Sequence, residues 1–291
     1  MQVDGRTRPV GIIGSPVGHS LSPRMHNAAF AELGLNFVYI PLAVQPDGLA
    51  TAVRGLVALG FAGANVTVPY KSAVLPLLDR LSPVAEAIGA ANTLLVERDG
   101  SISGHNTDAS GFVAALREAG WPDDSTEHRA LVVGAGGAAR AVAYGLQHIC
   151  SEVWIANRSF ETALALCAAL GGVPTQDGEA PNATLSAHHY PDELVALAPD
   201  ADLIVNTTSL GLKADDPLPW AAGVPFRRGQ LVCDLVPRSK AAGLTPFLSL
   251  AASQGASVLD GRGMLVHQGA KAFELWCGVE APLSAMWKAV E

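Results

Sequence analysis

The chain has 291 residues, 49% hydrophobic and 16% charged, with a net charge of -8 and a pI near 5.4. That length accommodates two domains with separate cores, and the apolar composition excludes a disordered chain and suits parallel sheets covered on both faces. An acidic chain without a Lys/Arg cluster makes a nucleic-acid or anionic-membrane partner unexpected and leaves a small molecule as the expected one.

Residues 1–6 carry neither an apolar signal segment nor a cleavage site, so a cytoplasmic protein is expected. Val10 to Gly14 predicts a short buried strand, and Ser15 to Pro23 a loop dense in turn residues. Ser22 reads as the cap of a helix with Pro23 at its first position, carrying Met25, Ala28, Ala29 and Leu33 and ending at Gly34. Beside that helix start, the Ser20 and Ser22 hydroxyls also offer a neutral site for a carboxylate. Phe37 to Ile40 is the next strand and residues 46–59 the next helix. A buried strand then carries Asn65 and Thr67 on one face, turns at Pro69 and leaves Lys71 at its end. This β-α-β-α-β alternation implies a parallel sheet with ligands at the strand C-terminal ends, where Ser20, Asn65 and Lys71 fall.

A helix over residues 72–79 is expected next. The run Ile88 to Val96, containing Asn92, leads to a hairpin through Asp99-Gly100 and a return strand into Gly104 to Asp108. Taken alone, Asp108 reads as the cap of a helix from Gly111 to Glu118.

A second organisation starts at Arg129. The strand Ala130 to Val133 runs directly into Gly134-Ala135-Gly136-Gly137-Ala138-Ala139-Arg140, a G-x-G-x-x-A loop opening a helix, which lets a pyrophosphate approach the helix N-terminus. The next strand, Glu152 to Ala156, ends in Asn157-Arg158-Ser159, where an NAD-binding unit usually has an acid. Arg158 suits a 2′-phosphate instead, so NADP is the expected cofactor, with NAD possible. After a helix from Glu161 to Leu170, the connection through Tyr190 carries no readable function, and His188-His189 reads as a solvated loop pair rather than a metal site. Ala201 to Asn206, Leu231 to Val236 and Ser257 to Leu259 are further strands. Residues 241–259 form the longest uncharged run, but Gly243, Pro246, Gln254 and Gly255 interrupt it, so no membrane span is expected. Gly261 to Gly278 reads as a turn and a helix, and Gln268 taken alone is compatible with a polar residue on its exposed side. Cys150, Cys167, Cys233 and Cys277 are far apart and read as buried reduced thiols, and no metal site is expected.

With these motifs in order, the chain resembles the shikimate dehydrogenase family along nearly its whole length. The resemblance rests on Gly14-Ser15-Pro16, His19 to Pro23 and His26-Asn27; on Asn65 to Lys71; on Gly89 to Thr93; and on Asn106-Thr107-Asp108 with Gly111. Gly134 to Arg140, Asn157-Arg158-Ser159, Asn206-Thr207-Thr208 with Gly211, and Gly263 to Ala270 complete it. It implies an α/β fold of two domains: a substrate domain of residues 1–108 plus 262–291, and an NADP-binding Rossmann domain of residues 109–261. It also implies reversible reduction of 3-dehydroshikimate to shikimate, by a monomer or homodimer.

Carried over, the resemblance makes Lys71 and Asp108 the catalytic pair, with Lys71 either donating a proton or stabilising charge. Ser20 and Ser22 would bind the carboxylate, and Asn65, Thr67, Asn92 and Gln268 the ring hydroxyls or reacting oxygen. Gly134, Ala135, Gly136, Gly137, Ala138, Asn157, Arg158, Ser159, Thr208, Leu235 and Gly263 would contact the cofactor. The chain departs from the family pattern in three places. Pro237 stands where a tyrosine is usual, and Thr245 arrives later than expected. Glu161-Thr162 replaces a second basic residue, for which Arg238 and Lys240 are candidate substitutes. These departures leave two further expectations: a relative preferring quinate or a similar ring carboxylate, and a catalytically weak ligand-binding paralogue.

Overall fold

The protein is described by a computed structural model covering residues 3–122, 127–174, 180–211, 216–236 and 243–291. Contacts divide the chain into two compact units, Met1–Gly111 with Leu265–Glu291, and Phe112–Met264.

The first stretch runs β1 (Arg8–Gly14), α1 (Ser22–Glu32), β2 (Phe37–Ala43), α2 (Leu49–Ala58), β3 (Gly63–Val66), β4 (Arg80–Leu81), α3 (Pro83–Ile88), β5 (Thr93–Val96), β6 (Ile102–His105) and α4 (Asp108–Glu118). Its strands form one mixed sheet in the order β2-β1-β3-β5-β6-β4, with β1, β2 and β3 parallel and β5 antiparallel to both neighbours. The parallel part follows from the helical crossovers α1 and α2; the antiparallel part follows from the tight turn at Gly100, whose φ is 84°.

Three expectations are corrected here. The helix over residues 72–79 is absent: Leu75–Leu77 form a short 3-10 turn, and β4 follows. Pro76 accounts for this, since it lacks an N–H and disfavours helical backbone at the residue before it. Ile88 belongs to α3, which Ser82 caps by accepting from Ala85 N at 3.2 Å and Gly89 ends at φ 68°, so the strand starts only at Thr93. Ser22 does not cap α1, which makes no side-chain cap bond; Ser22 is instead drawn inward, 4% exposed, beside the Tyr39 hydroxyl.

The second unit contains β7 (Arg129–Val133), α5 (Gly137–Leu146), β8 (Glu152–Asn157), α6 (Phe160–Leu170), β9 (Thr184–His189), α7 (Leu194–Leu197), β10 (Leu203–Asn206), β11 (Leu231–Asp234), α8 (Pro246–Ser253) and β12 (Ser257–Asp260). All neighbours in its sheet, β12-β11-β10-β7-β8-β9, are parallel, the doubly wound order of a nucleotide-binding fold. β9 corrects the reading of His188-His189 as a loop pair. It lies at the sheet edge and is held by polar contacts: His188 Nε2 meets Ser186 Oγ and His188 Nδ1 meets Glu193 Oε2, both at 2.8 Å, while the His189 ring stacks on Phe160 at 4.3 Å. Pro237, Arg238 and Lys240 lie outside the described residues.

The chain then returns to the first unit through α9 (Arg262–Cys277) and α10 (Leu283–Val290). Alternate residues of β1 divide that unit's core, as a two-residue period requires. Val10 and Ile12 pack with Met25, Phe30, Phe273, Trp276 and Met286 under α1, α9 and α10, whereas Ile13 packs with Val53, Leu56, Val66 and Leu94 under α2. Fully buried side chains such as Phe30 and Phe273 each stabilise by roughly 2–3 kcal/mol. Among the described residues no helix is long and apolar enough to cross a membrane.

Candidate active site

The turn after β3 sets the backbone of Lys71, whose carbonyl accepts from Ala91 N at 2.8 Å. Its ammonium reaches Asp108 Oδ2 at 2.6 Å, with 16% of the lysine side chain and 5% of the aspartate side chain exposed. Asp108 is not the cap of α4, which begins at Asp108 rather than at Gly111. Asn106 serves as the cap, its Oδ1 accepting from Asp108 N at 3.1 Å and Ala109 N at 3.4 Å. That leaves the Asp108 carboxylate free for a side-chain pair at the edge of the buried region, a strong charge-assisted contact.

Asn92 ties the group together. Its Nδ2 donates to Asp108 Oδ1 at 2.9 Å, to Thr107 Oγ1 at 2.9 Å and to Gln268 Oε1 at 3.2 Å, and its Oδ1 accepts from Thr107 N at 2.8 Å. Gln268 is buried, 8% exposed, against the expectation of a solvent-facing residue, because α9 turns that side toward α4 at Gly111. A Cβ at Gly111 would stand 2.6 Å from Gln268 N, so only glycine allows the approach.

Asn65, 5% exposed, has its polar groups engaged within the protein. Nδ2 donates to Asn92 O at 3.1 Å and Thr93 Oγ1 at 3.0 Å, and Oδ1 accepts from the Tyr39 hydroxyl at 2.7 Å. What it retains for a ligand is the second lone pair of Oδ1. Thr67 is half-buried at the end of β3, with its N–H on Ile13 O at 2.9 Å. Ser20 Oγ accepts from Ser22 N at 3.2 Å, which keeps the two serines adjacent. Lys71, Asp108, Asn92 and Gln268 are thus joined by direct bonds, and Asn65 joins them through Asn92 and Thr93. Thr93, Thr107 and Asn106 were not singled out from the sequence as functional, although each sits inside a motif that was.

In the second unit the loop after β7 suits a dinucleotide. Gly134 has φ 109°, and a Cβ there would meet Thr207 Oγ1 at 2.6 Å; Gly136 is exposed with no atom within 4 Å of where its Cβ would be. Gly137, Ala138 and the rest of the first turn of α5 receive no side-chain cap, so their N–H groups face that opening, with Ala135 buried behind. Past β8, Arg158 and Ser159 are exposed, and Asn157 Nδ2 donates to Ser159 O at 2.9 Å. Thr162, in the place of the second base, donates to Ser159 Oγ at 2.9 Å. Thr208 is fixed by Asn206 Oδ1, which accepts from its N at 3.0 Å and its Oγ1 at 2.7 Å. Asn206 in turn donates to Asp234 Oδ1 at 2.9 Å, and Asp234 Oδ2 accepts from Thr245 at 2.6 Å. The late-arriving threonine therefore still meets the aspartate. Leu235 N donates to Asn206 O at 3.0 Å, and Gly263 is buried in the first turn of α9.

Comparison with known proteins agrees along the chain. Residues 12–94 match the shikimate dehydrogenase substrate binding domain, residues 116–209 the shikimate / quinate 5-dehydrogenase family and residues 261–291 the shikimate 5′-dehydrogenase C-terminal domain. A shikimate dehydrogenase (NADP(+)) of Rubrobacter xylanophilus is 47% identical over 290 residues, covering 99% of this chain and 97% of the relative. The structure of shikimate 5-dehydrogenase from Thermus thermophilus with NADP(H) and shikimate superposes with a TM-score of 0.82 at 37% identity, covering 98% of both chains. A quinate dehydrogenase of Corynebacterium glutamicum in complex with NAD gives a TM-score of 0.84 at 31% identity, covering 97% of this chain and 98% of that one. The domain order, the two sheets and the identity over the full length place this chain in the shikimate dehydrogenase family.

Proposed function

We propose that the protein catalyses the NADP-dependent, reversible reduction of 3-dehydroshikimate to shikimate, with Lys71 and Asp108 as the catalytic pair. The observation that carries this reading is the 2.6 Å contact between Lys71 Nζ and Asp108 Oδ2, set in a net of neutral amides and hydroxyls. NADPH held by the glycine loop after β7 would supply the hydride that the ketone carbon gains. The Lys71 ammonium meets the negative charge that develops on the ketone oxygen and gives the proton that the alcohol gains. Asp108, oriented by Asn92, holds the ammonium in place; the remaining exposure of Lys71 lets solvent restore its proton. Ser20 and Ser22 bind the substrate carboxylate, and Thr67, Asn65, Asn92 and Gln268 the ring hydroxyls. The glycine loop after β7, with Asn157, Arg158, Ser159, Thr208, Leu235 and Gly263, binds the dinucleotide. The four free thiols suit the reducing cytoplasm.

Purified protein given shikimate and NADP is expected to produce NADPH, read as absorbance near about 340 nm. A panel adding quinate and NAD tests the choice of substrate and cofactor. Absence of turnover with every pair sinks the enzymatic reading; a higher kcat/KM with quinate moves the substrate and leaves the chemistry. Arg158→Ala is expected to raise KM for NADP by about 10–30-fold while leaving NAD within about twofold, since only NADP offers the 2′-phosphate to a guanidinium. Equal losses with both cofactors reduce Arg158 to a structural residue.

A further inference from the structure

The proposed chemistry gives His26 and Asn27 no task, yet both are spent on one residue of β2. Asn27 clasps the backbone of Tyr39 from both sides, with Nδ2 donating to Tyr39 O at 2.9 Å and Oδ1 accepting from Tyr39 N at 2.8 Å. The His26 ring lies flat on the Tyr39 ring, centroids 4.5 Å apart and planes within 4°. Ser22, one turn earlier on α1, is buried beside the phenol. Trp276 of α9 packs beside both rings, 6.0 Å from Tyr39 and 5.4 Å from His26, pinned by its own bond from Nε1 to Leu94 O at 2.9 Å. A side chain that is 1% exposed and held at both its backbone and its ring is being aimed.

Its aim is the Asn65 amide. Because Asn65 Nδ2 is engaged by Asn92 O and Thr93 Oγ1, Oδ1 is the acceptor and the phenol the donor, at 2.7 Å. Burial drives the phenol's pKa well above its usual value, so the donor proton stays in place. The hydroxyl therefore holds the amide at the ring-hydroxyl end from a residue that α1 itself grips.

We propose that Tyr39 is a positioning residue for the substrate: through its hydroxyl it fixes the Asn65 amide, and α1 holds it for that purpose through His26 and Asn27. The proposal rests on the reading that Asn65 faces the substrate. Preorganised polar groups bind more tightly than groups that must be ordered on binding, which is the gain assigned to Tyr39.

Tyr39→Phe removes only the hydroxyl and keeps both stacks. KM for shikimate is expected to rise by about 10-fold while KM for NADP stays within about twofold, the loss of one bond to a ligand-binding group. Unchanged KM values for both overturn the proposal, and so does a parallel rise in both, which marks a general structural defect. In the cycle with Asn65→Ala, the double variant is expected to show less than the product of the two single effects, because both changes break the same bond. A full product overturns the coupling. Titration of shikimate against each variant gives the same ratios without turnover, so failure of wild-type catalysis remains a separate result.

Discussion

Lys71→Ala is expected to lower kcat by about 10³-fold with KM for shikimate changed by only a few-fold, because the ammonium is needed most where charge develops on the ketone oxygen. The same substitution should cost stability. Asp108, with 5% of its side chain exposed, would lose its 2.6 Å cation and keep only the Asn92 amide, an uncompensated carboxylate at the edge of the core. Removing one partner of such a pair costs on the order of 2–4 kcal/mol. The two effects separate in the double variant Lys71→Ala/Asp108→Asn, where neutralising the stranded carboxylate should recover the melting temperature and leave kcat low. Turnover assays with thermal melts on wild type and the two variants check this. Recovery of kcat with the melting temperature would show that the lysine acts only through the fold.

The second large effect concerns acid. His26 is fully buried in a ring cluster with Tyr39 and Trp276, and among the described residues its two nitrogens find no partner. Burial pushes its pKa down to about 3, so the native ring stays neutral while the unfolded ring titrates at the ordinary value. Between those two values the unfolded state binds more protons, and stability must fall as pH falls through that window. Each pH step of one below the ordinary histidine value costs about 1.4 kcal/mol, so the loss from this group between about pH 7 and pH 4 is about 3 kcal/mol. Denaturant unfolding at a series of pH values, with wild type and His26→Phe compared, isolates the contribution, since the carboxylates titrate alike in both. Superimposable profiles would mean that His26 gains a proton or a partner when the protein is folded.

The legible features were those whose chemistry repeats locally. The G-x-G-x-x-A loop announced itself through the strand before it and the alanine-rich helix after it, and Lys71, Asn92 and Asp108 lay within motifs whose order along the chain carried the family resemblance. What stayed hidden depended on neighbours distant in sequence. β9 has only Leu185 and Ala187 as apolar residues, because it is an edge strand whose polar side chains are satisfied by Ser186, His188 and Glu193, so its polar composition read as loop. Gln268 read as solvent-facing because nothing in its own helix reveals that Gly111 lies against it. Ser22 read as a cap because Ser-Pro before a helix usually is one, and its burial beside Tyr39 appears only once β2 is alongside α1. Asp108 as a cap failed for a similar reason: Asn106, two residues earlier, took that place.

The first unit is discontinuous, and its second piece, Leu265–Glu291, supplies Phe273, Trp276, Met286 and Val290 to one face of the sheet and Gln268 to the net around Asn92. During synthesis the ribosome therefore finishes the whole nucleotide-type unit before the sheet begun at β1 can be covered. Until then Tyr39 lacks Trp276 beside it, and the net around Asn92 lacks Gln268. The nascent chain stays without its complete proposed catalytic arrangement until α9 emerges, so the order of translation sets when the site can form.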